Sequence, residues 1–154
     1  MKILMKSWLV ILLALSLTGC FGEDYDVGVP TAHLYTDNSS IQLTEANIDW
    51  STASENVQQS IENIEEFTLS QQTIHVSSGE KIFLDFKENE ENGGDIWTDA
   101  KITIWLLTEN ERIELELDES SEFHFQNITG NYVLEVEFVN SAGKAQYVGN
   151  LMIH

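Results

Sequence analysis

From Thr73 to His154 apolar and polar residues alternate with a period of two, and turn residues break the alternation about every ten positions. A strand sends successive side chains to opposite faces, so this period specifies half-buried strands rather than helices. Ile74 and Val76 lead into Ser77-Ser78-Gly79, and Ile82, Leu84 and Phe86 follow. A long polar stretch from Lys87 to Asp99 precedes the apolar run Ile102–Leu107 and the alternating Ile113, Leu115 and Leu117. Phe123 and Phe125 flank His124, and Tyr132, Leu134, Val136 and Phe138 alternate with Val133, Glu135 and Glu137. Asn140-Ser141-Ala142-Gly143 reads as a hairpin turn, with Ala145–Ile153 as the closing strand. Strands at this spacing with no helix between them predict a mainly β fold, an antiparallel sandwich of about seven strands.

Ahead of Thr73 the pattern changes. Thr31–Leu43 has weaker strand character, with Leu34, Tyr35, Ile41 and Leu43 as its apolar points. Trp50, Val57, Ile61 and Ile64 are spaced so that all four fall along one side of a helix. Thr52 followed by Glu55 fits a capping box, in which each side chain serves the other residue's backbone amide. The spacing predicts a helix over 53–66, with Glu55, Gln59, Glu62 and Glu66 on its wet side. Ile102–Leu107 adds a second constraint, because Trp105 and Leu107 are apolar on the face opposite Ile102, Ile104 and Leu106. A strand with one wet face would be polar there, so something covers it. The predicted helix is one candidate, which makes 31–154 a single domain with that N-terminal helix packed on the sandwich. A partner protein is the other.

Gly130-Asn131-Tyr132-Val133-Leu134-Glu135-Val136, followed by the turn at 140–143, is similar to the last two strands of immunoglobulin-like and PKD-like domains. The resemblance covers roughly residues 70–154 and implies an immunoglobulin-like sandwich. It also implies that Tyr132 stands at the tyrosine-corner position and Trp105 at that of the core tryptophan. Cys20 is the only cysteine, so the inter-sheet disulfide of antibody domains is missing. Likeness of fold implies no activity.

The first residues carry a different kind of signal. Lys2 and Lys6 precede an apolar run from Trp8 to Leu17, which closes on Leu17-Thr18-Gly19-Cys20. A basic start, an apolar middle and small residues before a cleavage point form the layout of an export signal. Leu-Thr-Gly before the cysteine resembles the lipobox of bacterial lipoproteins. That resemblance implies a signal peptide over 1–19 and a lipidated tether over 20–30. Cys20 would be the first mature residue, carrying a diacylglyceryl thioether and usually an acylated amino group of the palmitate type. The expected location is a bacterial cell membrane, lipid-anchored on the extracytoplasmic side. The apolar run is about half the ~20 residues that a membrane-crossing helix needs, which disfavours an uncleaved anchor. Two acyl chains hold a protein stably, each buried methylene contributing roughly 0.8 kcal/mol.

The chain has 26 acidic and 7 basic residues and a formal net charge of −19. That balance excludes nucleic acid and anionic lipid surfaces as partners held by charge. Basic or neutral partners and cations remain, as does plain solubility. Neither a Gly-x-Ser-x-Gly elbow nor a phosphate-binding glycine loop is present, and no catalytic residue is assigned. The four histidines show no zinc or copper spacing, and alternation points His75 and His124 away from their apolar neighbours. Glu88, Glu90, Asn92 and Asp99 fit positions 1, 3, 5 and 12 of a calcium loop with Gly93 at position 6. Glutamate at the first position, Asp95 at the eighth and flanking strands depart from that pattern, and a solvated loop explains the same residues. Glu114, Glu116, Glu135 and Glu137 form either an anionic surface for a basic partner or the wet face of a sandwich.

The expected function is therefore a lipid-anchored, non-catalytic binding or accessory module for a basic or neutral envelope protein or polymer. The expected cofactor set is empty apart from the lipid on Cys20. A carrier of calcium or another small ligand is the alternative.

Overall fold

The computed structural model describes residues 28–53, 56–88 and 95–154. The leader with Leu17-Thr18-Gly19-Cys20, Glu55 of the expected capping box, and Glu90 and Asn92 of the acidic loop lie outside the described residues.

The chain begins with strands β1 (Thr31–Tyr35), β2 (Ser40–Gln42), β3 (Thr44–Ser51) and β4 (Asn56–Gln59), followed by a short helix, α1 (Ile64–Leu69). Strands β5 (Thr73–Val76), β6 (Lys81–Lys87), β7 (Lys101–Leu107) and β8 (Arg112–Leu115) come next. Last are β9 (Glu122–His124), β10 (Gly130–Asn140) and β11 (Gly143–Ile153). The strands from β5 onward are the ones expected from the alternation. The fold is mainly β.

The smaller sheet has the order β2-β1-β6-β9, and the larger has β4-β3-β11-β10-β7-β8. Two strands share one edge of β11. β3 runs antiparallel to it as far as Val148, and β5 runs parallel to it from Asn150 to Ile153. All other strand pairs are antiparallel. Leu34, Ile82, Leu84, Phe86 and Phe123 of the smaller sheet meet Trp50, Leu134, Val136, Phe138, Tyr147 and Leu151 of the larger in one buried cluster. That cluster draws on residues from Ala32 to Ile153. Tyr147 is fully buried, and its hydroxyl donates to the Pro30 carbonyl oxygen.

The turn between β10 and β11 depends on Gly143. Its φ is +155°, and a Cβ there would come within 2.1 Å of the Asp49 carbonyl oxygen. Any other residue would push β3 away from β11.

Several expectations need correction. No helix runs over 53–66, because residues 56–59 are strand β4 and the helix starts at Ile64. Trp50 and Val57 are direct cross-strand partners in the β3–β4 hairpin, and this pairing imitates the helical spacing of seven. The true N-cap is Asn63, whose side chain accepts from the Glu66 amide at 3.1 Å while its amide group donates to the Glu66 carboxylate at 3.3 Å. The core tryptophan is Trp50, which is fully buried and packs against Phe138 with ring centroids 6.2 Å apart. Trp105 instead lies on the outer face of the larger sheet, since Ile104 and Leu106 beside it turn inward.

That outer face is covered in part, as the two apolar sides of 102–107 require. Helix α1 packs on β10 and β11, and Thr68 in it is fully buried. The Asn150 side chain donates to the carbonyl of Gln71 at 3.2 Å and to the Thr73 hydroxyl at 3.3 Å, tying the segment after the helix to β11. Asn47 of β3 accepts from the Ile61 amide at 2.6 Å, tying down the segment before it. Among the described residues no helix is long and apolar enough to cross a membrane.

Candidate functional site

One part of the outer face that α1 leaves uncovered is built on β7 and its two neighbours. Pairing places Glu135, Trp105 and Glu114 in one row across β10, β7 and β8. Arg112 starts β8 opposite Leu107. Its guanidinium lies over the Trp105 ring, 4.1 Å from the centroid, and donates to Glu135 Oε1 at 3.2 Å. A cation over an indole face is attracted by the ring quadrupole, by about 0.5–1 kcal/mol at an exposed site. The Arg112 side chain is 52% exposed, so the stack presents a charged and an aromatic group to solvent together.

Glu135 is only 7% exposed. A buried carboxylate is costly unless partners replace its water. Arg112 is one such partner, and the Gln146 amide, donating at 2.8 Å, is the other. Gln146 in turn accepts from the Asn47 side chain at 2.6 Å. A line of polar pairs therefore crosses the sheet from Arg112 on β8 to Asn47 on β3, and continues to the Ile61 amide.

The four glutamates expected to form an anionic surface thus divide. Glu135 is built into this line, and Glu137 forms an ion pair with Lys144. Glu114 and Glu116 are exposed, the first on β8 and the second just past its end. Of these four, the exposed charges are the two at β8 and its end.

In the acidic loop, Glu88 follows β6 and Asp95 begins the next described stretch. Asp95 turns back on its own chain. Its carboxylate accepts from the Thr98 hydroxyl and from the Trp97 amide, and these bonds, Thr98 first, hold the group below its usual pKa. Asp99 takes a left-handed backbone with φ +57°. Ile96 is buried, and its carbonyl accepts from the Asn140 side chain at 3.1 Å. Asp95 and Asp99 therefore shape a turn that plugs one end of the core. Among the described residues no three His, Cys, Asp or Glu side chains gather as a metal site.

The alternation is right about His75 and His124, which are both exposed. It gives no hint of where His75 goes. The parallel pairing of β5 with β11 brings it to His154, with His75 Nδ1 2.8 Å from His154 Nε2. A separation of 79 residues conceals that contact from any local spacing rule. His33 on β1 contacts the Thr31 hydroxyl at 2.9 Å, and burial, then the nearby Lys87, lowers its pKa.

Ser-x-x-Lys spacing, a signature of some serine hydrolases, occurs twice, at Ser78/Lys81 and Ser141/Lys144. Both serines lie in turns, and the two lysines form ion pairs with Glu122 and Glu137. A cleft of about 600 Å³ opens between β2 and β5 and is lined by groups such as Ser40, Gln42, Thr44, Gln71 and Asn150.

Compared with family models, curated proteins and solved structures, the chain matches none.

Proposed function

We propose that this protein is a lipid-anchored, non-catalytic binding module on the extracytoplasmic side of a bacterial membrane. Its contact surface is the outer face at β7 and β8, where Trp105, Arg112 and Glu114 stand side by side. One observation carries this reading: the half-exposed Arg112 guanidinium lies over the Trp105 ring on the outer face of the sheet, with exposed Glu114 in the same row. Aromatic and arginine side chains are enriched at interfaces and supply most of their binding energy. Exposed Glu114 and Glu116 beside the stack favour a basic or neutral partner, an envelope protein or polymer.

The anchor rests on Leu17-Thr18-Gly19-Cys20 and its resemblance to the lipobox. The sandwich is read as immunoglobulin-like because β8-β7-β10-β11 lie side by side in one sheet while β6 and β9 pair in the other, as C′, C, F, G and B, E do in such domains. The strands ahead of β5 and the core position of Trp50 are departures from that plan.

Three experiments test the proposal. Cys20→Ala should leave unprocessed precursor or release soluble protein, and normal processing with membrane retention contradicts the anchor. A photoreactive residue at Glu114 should crosslink to a partner in native membranes, and Trp105→Ala should abolish that product. Turnover of an envelope substrate by the purified protein would overturn the non-catalytic reading.

A further inference from the structure

A second constellation lies on the outer face of the larger sheet, at its β5 edge. In the parallel register of β5 and β11, His75 stands beside Met152. Paired residues of neighbouring strands share a face, and so do positions two apart on one strand. Met152 therefore lies on the same face as both His75 and His154. Burial agrees: Ile74, Val76, Leu151 and Ile153 turn into the core, whereas His75 and His154 are exposed and Met152 is half-buried.

The two imidazoles already face one another. Their planes are within 4° of parallel and their centroids are 5.2 Å apart, yet Nδ1 of His75 and Nε2 of His154 are only 2.8 Å apart. Rings in that relation meet edge to edge, nitrogen toward nitrogen. One nitrogen carries a hydrogen and the other a lone pair. Two metal–imidazole bonds of about 2.0–2.1 Å set the nitrogens roughly 3.3–3.4 Å apart at a tetrahedral angle, so replacing that hydrogen with a cation requires the two exposed rings to part by about half an ångström. Ordinary hydrogen bonding accounts for two exposed rings in contact. It gives no reason for a thioether on the same face.

We infer that His75, His154 and Met152 form a binding site for a single copper(I) ion. Imidazoles alone suit zinc, nickel and copper alike, whereas a thioether is a soft donor that selects copper(I). Both histidines come from the edge shared by β5 and the end of β11, so the ion would also staple that short parallel pair.

The test uses the full chain without an affinity tag, in a Cys20→Ala background that removes its only thiol. Titration with copper(I) against a chromogenic copper(I) chelator should show one equivalent withdrawn by the protein. His75→Ala and His154→Ala should each weaken this by more than about tenfold, the cost of losing even an indirect support of a metal site. His33→Ala and His124→Ala should leave it unchanged. Met152→Leu should weaken copper(I) binding and spare zinc binding. In the unsubstituted histidine pair, silver(I) should shift the Met152 methyl signal together with the His75 and His154 ring signals in NMR spectra, a readout independent of any variant's folding. The inference fails if the chelator keeps all the copper, if one equivalent survives loss of either histidine, or if Met152 neither shifts nor matters.

Discussion

The two faces of the larger sheet are held by different physics. Its inner face is apolar, with Phe138 and Tyr147 fully buried against Phe86 of the other sheet and Trp50 fully buried against Phe138. Its outer face buries polar groups, Glu135, Gln146 and Asn150, each bonded to a neighbour. On the inner side stability follows area removed from water. On the outer side it follows whether every buried donor and acceptor finds its partner. The second kind of face tolerates an opening, because a polar line can end at solvent, and it ends at Arg112 over Trp105.

The sharpest contrast is between the two tryptophans. Trp50→Ala should cost about 3–5 kcal/mol and bring the whole domain down in a single thermal or denaturant transition. A loss no larger than that from Trp105→Ala would mean that the inner face is not the main core. Glu135→Ala should come next, at about 2 kcal/mol, because it leaves Arg112 and Gln146 without their shared acceptor. Asn150→Ala should cost about 1 kcal/mol and loosen the segment after α1, read as faster amide exchange at Gln71 and Thr73. If these two outer-face variants are neutral, the buried polar groups of that face contribute geometry and no stability.

Glu45 offers a smaller effect with a pH signature. Burial raises its carboxyl above the ordinary 4.5. The folded state therefore binds this proton more readily than the unfolded state does. The group's cost is absent below 4.5, appears as pH climbs through the raised value and is complete above it. Glu45→Gln should accordingly melt slightly higher than its parent near pH 7, and the gap should close as pH falls toward 4.5. A gap that widens on acidification would reverse the assigned sign.

The seven strands from Thr73 onward were legible because each carries its own two-residue alternation, which needs no partner to be read. The region before them was not. Trp50 and Val57 face each other across a hairpin, and cross-strand pairing placed them at a spacing that a helix would share. The same limit hid which tryptophan enters the core, since Trp105 has apolar neighbours on both sides of its strand and only the inward packing of Ile104 and Leu106 assigns its face. The four glutamates are visible as residue types, but the ion pairs that engage Glu135 and Glu137 join strands by pairing rather than by local sequence. His75 and His154 meet only because a parallel strand occupies the last part of the β11 edge.

The central claim is that contact is made at the Arg112–Trp105 stretch of the outer face, and position-specific crosslinking in native membranes tests it most directly. The same photoreactive residue is placed at Glu114, beside the Arg112–Trp105 stack, and at Phe83, an exposed position on the outer side of the smaller sheet. A discrete product from position 114 that disappears with Trp105→Ala, and none from position 83, is the predicted result. Equal products from both positions, or a product from 83 alone, would contradict it.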